Sequence, residues 1–248
     1  MILNRYWRYC VAALMLLAPG MVAADPGLTL FSSHGAEGTQ SYSVNIEILI
    51  MMTLLGLLPV MVLMMTSFTR FIIVLAILRQ ALGLQQTPPN KVLTGIALCL
   101  TLLVMRPVWT TIEHQALEPY QSGQISLNQA LSRASEPLRK FMLAQTSKTA
   151  MAQIMSIAHV TGDPAAQDLT VITPAYLLSE LKTAFQIGFM IYLPFLVIDL
   201  IVSSILMAMG MMMLSPMVVS LPFKLLLFVL CDGWSLVTGT LTQSIQAF

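Results

Sequence analysis

The sequence predicts an all-α, membrane-associated protein, and three observations predict it. Only 9% of its 248 residues are charged and 57% are apolar, against roughly 25% charged in ordinary soluble domains. Long apolar runs, one of them 21 residues without a charge (48–68), reach the length of a bilayer-spanning helix. The one polar stretch, 110–173, carries apolar residues at helical spacing. This composition points to a bilayer or a very large buried interface and argues against a soluble enzyme. The net charge is +1, and Glu113 to Asp168 holds five acids and four bases, so no basic surface is available to neutralise a row of phosphates.

The N-terminus reads as a cleavable signal peptide, 1–24. Arg5 and Arg8 precede the apolar run Cys10–Leu17, then Pro19-Gly20 and the small residues of "MVAAD". Eight apolar residues before Pro19 are too few to span a bilayer. Cleavage after Ala24 removes Cys10 and leaves Cys99 and Cys231, with no metal-ligand spacing and no disulfide demanded. Residues 25–45 are rich in Gly, Ser and Thr without apolar periodicity and form a flexible leader.

An N-terminal apolar hairpin follows over 46–109. Its first helix covers 48–68, with a kink expected at Pro59. Arg70, the apolar "FIIVLAIL", Arg79 and the breaker "QQTPPNK" lead to a fourteen-residue run, Val92–Met105, that stops before Arg106-Pro107. In 110–173, residues Ile125, Leu127, Ala130, Leu131, Leu138, Phe141 and Met142 recur at helical spacing behind a cap at Ser126. Two or three amphipathic helices are expected there, with "TGDPAAQD" as a turn. Pro174 opens the C-terminal region, 174–248, where apolar stretches run over 189–214 and 217–231. The positive-inside rule places Arg70, Arg79 and Lys91 in the cytoplasm and 110–173 on the outer side of a bacterial inner membrane.

Chemistry is sparse. His34, His114 and His159 are scattered, and neither a phosphate-binding loop nor a nucleophile elbow is present, so no enzymatic activity, cofactor or metal is expected. Asp199 and Lys224 lie in apolar runs and must face protein or water. Asp199 has Ser203 one turn later and is read as a buried polar contact, with a proton-relay carboxylate as the alternative. Lys224 needs a carboxylate or carbonyl, and Glu180 is the expected partner. In "LMAMGMMMLSPM", Leu206–Met217, methionine fills six of twelve positions. Met209, Met211, Met212 and Met213 surround Gly210. Three successive methionines on a helix would point in different directions, so core filler and a deformable lining stay equally open. A Cu(I) site in a membrane transporter is a further reading.

Three stretches carry a resemblance: "PAYLLSELKTAFQIGF", "LPFLVIDLIVSSILMAMGMMMLSP" and "SLPFKLLLFVLCDGW", with "MTSFTRFIIVLAILRQALGLQQTPPNKV" upstream. From about Ile48 to the C-terminus the chain resembles the FliP/SctR family of type III export-gate proteins, flagellar and virulence-injectisome; 110–173 is generic. The resemblance implies bent helical hairpins in a helical multi-subunit gate: five copies with FliQ and FliR, next to FlhA and FlhB, passing unfolded flagellar proteins. It implies that Met209, Met211, Met212 and Met213 form a gasket lining the pore. It also implies that Glu180 and Lys224 sit where neighbouring subunits can form ion pairs. The signal peptide favours the flagellar branch over the injectisome one.

Overall fold

Every secondary-structure element among the described residues is a helix. The computed structural model describes residues 46–84, 86–211 and 215–245; the expected signal peptide and leader lie outside them, as do Met212 and Met213. The chain divides after Met51 into two units. Of the first, 46–51 is described and forms the opening turns of α1 (Ile46–Met64). The second unit, from Met52 onward, holds the rest of α1 and every later helix.

The segment Ile50–Met64 of α1 and the next helix, α2 (Phe68–Ala81), are bent by 72° at a short break. At that break the first apolar run turns. The helix continues through Pro59, because a proline removes one backbone bond and apolar helices tolerate that loss. At the break the Thr66 hydroxyl donates to the Leu63 carbonyl (2.7 Å) and closes the helix end. α2 buries Phe71, Val74, Leu75, Leu78 and Ala81, a stripe at three- and four-residue spacing. α3 (Asn90–Val104) packs Leu93 and Ala97 into the same core. Its stop at Met105, before Arg106-Pro107, is where the sequence places it, and the chain turns by 58° there.

α4 (Arg106–Ile112) runs through a π-helical turn, Glu113–Leu117, into α5 (Glu118–Gln121). α6 (Leu127–Gln145) starts on the capping box of Ser126 and Gln129, with the Gln129 amide donating to Ser126 Oγ (3.4 Å) and the Ser126 amide to Gln129 Oε1 (3.2 Å). Of its expected apolar face, Ala130, Phe141 and Met142 are buried, whereas Leu127 and Leu131 are exposed. After α7 (Lys148–Ile157), the "TGDPAAQD" turn holds a short 3-10 helix, Pro164–Ala166.

α8 (Leu169–Ala208) is one 40-residue helix, about 60 Å long at 1.5 Å per residue. It joins two stretches that the sequence reads as separate. It begins five residues before Pro174, after Asp168, and runs through Pro174 and Pro194. Packing overrides the breaker: Ile172, Ala175 and Tyr176, on either side of Pro174, are fully buried. α8 is long and apolar enough to cross a membrane. Among the described residues, three bent helix pairs bring the number of possible spans, by length and composition, to as many as four if each pair counts as one. α9 (Pro216–Leu230) and α10 (Gly233–Gln243) form the last of these pairs.

Two apolar clusters fill the second unit. One gathers Met105, Val108, Phe141, Met142, Met151, Ile172 and Tyr176. The other gathers Phe71, Leu75, Leu78, Leu93, Ala184, Phe195, Phe228 and Leu241. α8 contributes to both, and Glu180 lies on it between the two contributions.

Candidate functional site

The charges the sequence singles out find partners other than those expected. Glu180 is bound by Arg70: Arg70 Nε donates to Glu180 Oε2 (2.8 Å) and Nη2 to Oε1, a bidentate pair whose side chains are 1–2% exposed. Arg70 Nη1 also donates to the carbonyl (2.8 Å) and hydroxyl (3.0 Å) oxygens of Ser244, just past α10, and Nη2 reaches Gln145 Oε1 at 3.4 Å. Ser179 Oγ donates to the Gln145 carbonyl (3.1 Å) and accepts from the Ser147 amide (3.0 Å). One arginine thus ties α2, α8, the end of α6 and the C-terminal end of α10. By the positive-inside rule the sequence places Arg70 on the cytoplasmic side. In the structure it is a core residue paired with Glu180, and a buried, paired arginine carries no weight in that rule. The available signal was its place directly before the apolar run "FIIVLAIL", with no other charge between Glu47 and Arg79.

Lys224 is paired within the chain with Asp199, not Glu180. Its Nζ donates to Asp199 Oδ2 at 2.7 Å and to the carbonyl of Ala81 at 3.1 Å. Asp199 accepts a second hydrogen bond from Ser220 Oγ (2.5 Å). The expected contact with Ser203 is replaced by one across the hairpin, and Asp199 and Ser203 are half-buried, not buried. The reason lies in α2. The amides of Gly83 and Leu84 bond back to Gln80 O (3.0 Å) and Arg79 O (3.2 Å), with Gly83 at φ +78°. This closing motif places the Ala81 carbonyl, the last of α2, at the negative end of the helix dipole, and the ammonium donates to it.

The methionine run breaks at its glycine. The amide of Gly210 (φ +71°) bonds to Met207 O (3.1 Å) and that of Met211 to Leu206 O (3.0 Å), a Schellman end for α8. The helical geometry expected for consecutive methionines therefore stops at Ala208, and Met211 leaves the helix line. Met209 is 58% exposed and Met211 37%; Met212 and Met213 lie outside the described residues. Among the described residues no three His, Cys, Asp or Glu side chains gather as a metal site.

Below the Asp199–Lys224 pair, Phe228 meets Phe195 at a tilt, centroids 6.4 Å apart, and Trp234 edge-to-face, centroids 5.4 Å apart. Between α8, α9 and α10 lies an open groove of about 800 Å³, lined by Met190, Ile191, Phe195, Leu227 and Val237 among others.

The FliP family model matches residues 51–241. The flagellar biosynthetic protein FliP of Pectobacterium carotovorum subsp. carotovorum is 48% identical over 245 residues, covering 98% of this chain and 94% of that protein. Its namesake in Bacillus subtilis (strain 168) is 45% identical over 219 residues, 88% of this chain and 98% of that protein. The one in Cereibacter sphaeroides is 49% identical over 235 residues, 94% of this chain and 77% of that protein. The matched region runs from α1 to α10 and takes in both ion pairs and the glycine-broken methionine run: the chain belongs to the FliP family.

Proposed function

We propose that this chain is a core subunit of the flagellar type III export gate, which conducts unfolded rod, hook and filament proteins across the inner membrane and performs no catalysis. The exposed methionines at the end of α8 carry this reading. Met209 and Met211 are apolar side chains left uncovered by their own chain at the point where Gly210 ends the helix. An unbranched thioether chain repacks around cargo of any shape, whereas a rigid ring of Leu or Phe fits few shapes. A narrow apolar constriction also excludes ions by dewetting. In this reading Met209, Met211, Met212 and Met213 form the gasket, and five copies surround the path with FliQ and FliR, next to FlhA and FlhB. Residues 1–24 direct export, 25–45 link, and 110–173 lies on the periplasmic side. The apolar faces of α8 and α9 and the groove beside α10 supply area for neighbouring subunits. The charges Glu180 and Lys224 serve within the subunit, since each is buried with a partner of its own.

The test replaces Met209, Met211, Met212 and Met213 by Ala and measures ion conductance of the assembled complex. Leakage is expected to rise several-fold with assembly intact. An assembled complex of unchanged conductance removes the gasket role.

A further inference from the structure

The Asp199–Ser220–Lys224 cluster is placed as the fixed point of the α8–α9 hairpin. Asp199 lies ten residues before Met209, roughly 15 Å along α8, and Lys224 eight residues into α9, roughly 12 Å. The two charges therefore meet at matched depth on the two arms. Beyond them the arms are bare: from Leu200 to Met211 only Leu206 is buried, and none of Pro216–Val219 is. Below them begins the packed core, with Phe195 and Phe228 in ring contact. The cluster is also anchored outside the hairpin, because Lys224 holds the last carbonyl of α2 at Ala81 (3.1 Å). Apolar contact alone is non-directional and lets helices slide. A charge-assisted contact, buried on its Lys224 side, fixes one register.

We propose that Asp199, Ser220 and Lys224 are positioning residues that pin the arms carrying Met209 and Met211 to the end of α2. The pin defines where the methionines sit when the path is closed. It rests on the sealing role proposed for those methionines, and its test separates the two. Hydrogen exchange is measured on the full chain purified from membranes with its co-purifying subunits. Lys224→Met is expected to speed exchange of the 200–211 amides at least tenfold while the α2 amides 71–78 keep their rates. Ser220→Ala, which leaves the ion pair in place and is the variant to use if Lys224→Met does not fold, is expected to give a two- to threefold rise over the same amides. Unchanged exchange over 200–211 overturns the proposal. So does a rise shared equally by α2, which marks the cluster as ordinary core packing. If 200–211 loosens and ion conductance stays at the unmodified level, the pin stands and the methionine seal fails. If both rise together, the two are coupled.

Discussion

Between Ile172 and Gly188, α8 turns Ile172, Ala175, Tyr176, Ser179, Glu180, Ala184 and Gly188 into its own chain; between Phe189 and Ala208 only Phe195 and Leu206 are buried. Both halves are apolar, so hydrophobicity does not separate them. The first half is covered by α2, α6 and α7 and holds its one carboxylate in a closed, bidentate contact with Arg70. The second half leaves Phe189, Met190, Val197, Leu200, Ile201 and Ile205 exposed, and its carboxylate, Asp199, remains 32% exposed beside Lys224. A helix that is apolar all round needs cover all round. The first half finds cover for one face within the subunit, while Leu178, Leu181 and Phe185 stay exposed; the second half, bare on nearly every side, must take its cover from lipid or from other chains.

Breaking the first half has the largest expected effect. Arg70→Met leaves Glu180 buried without its cation, which costs about 3–5 kcal/mol and is read as lost folded yield and a lowered thermal midpoint in detergent. Arg70→Met combined with Glu180→Gln removes both charges and recovers part of that loss in a double-mutant cycle. Simple additivity of the two would mean the pair is not coupled. Next comes Gly188→Ala. A Cβ there would lie 2.4 Å from Ile77 Cδ1 and 3.1 Å from its Cγ2, so α8 must move away from α2, at about 1–3 kcal/mol. A thermal midpoint equal to that of the unmodified protein would show that Ile77 simply rotates aside. The smallest effect on folding belongs to the second half. Leu200→Gln changes the stability of the subunit by no more than about 0.5 kcal/mol yet reduces co-purification of neighbouring subunits. Reduced stability together with full co-purification would reverse the assignment of the two halves.

What can be read locally was legible. The cap at Ser126 pairs with Gln129 because the two sit three residues apart, and the Arg106-Pro107 stop follows from proline's own geometry. The apolar runs announce helices suited to a membrane, and the long motifs of the C-terminal third announce the family. The partners of Glu180 and Lys224 were not legible. Arg70 is 110 residues from Glu180, and Asp199 is 25 from Lys224; only the packing of α2 and α9 on α8 selects among the available charges. The same holds for Pro174, whose intrinsic preference to end a helix yields to burial of its neighbours Ile172, Ala175 and Tyr176.

The sequence by itself determined the helical class, the apolar character and the place of Gly210 within the methionines, because composition, spacing and a residue free to adopt positive φ are local properties. Tertiary structure alone decided that Arg70 is a core residue and that Lys224 closes the end of α2. It also decided that α8 buries one face along its first half and is nearly bare along the second. Those outcomes depend on which surfaces meet, and a buried charge takes whichever partner the packing brings within hydrogen-bond distance.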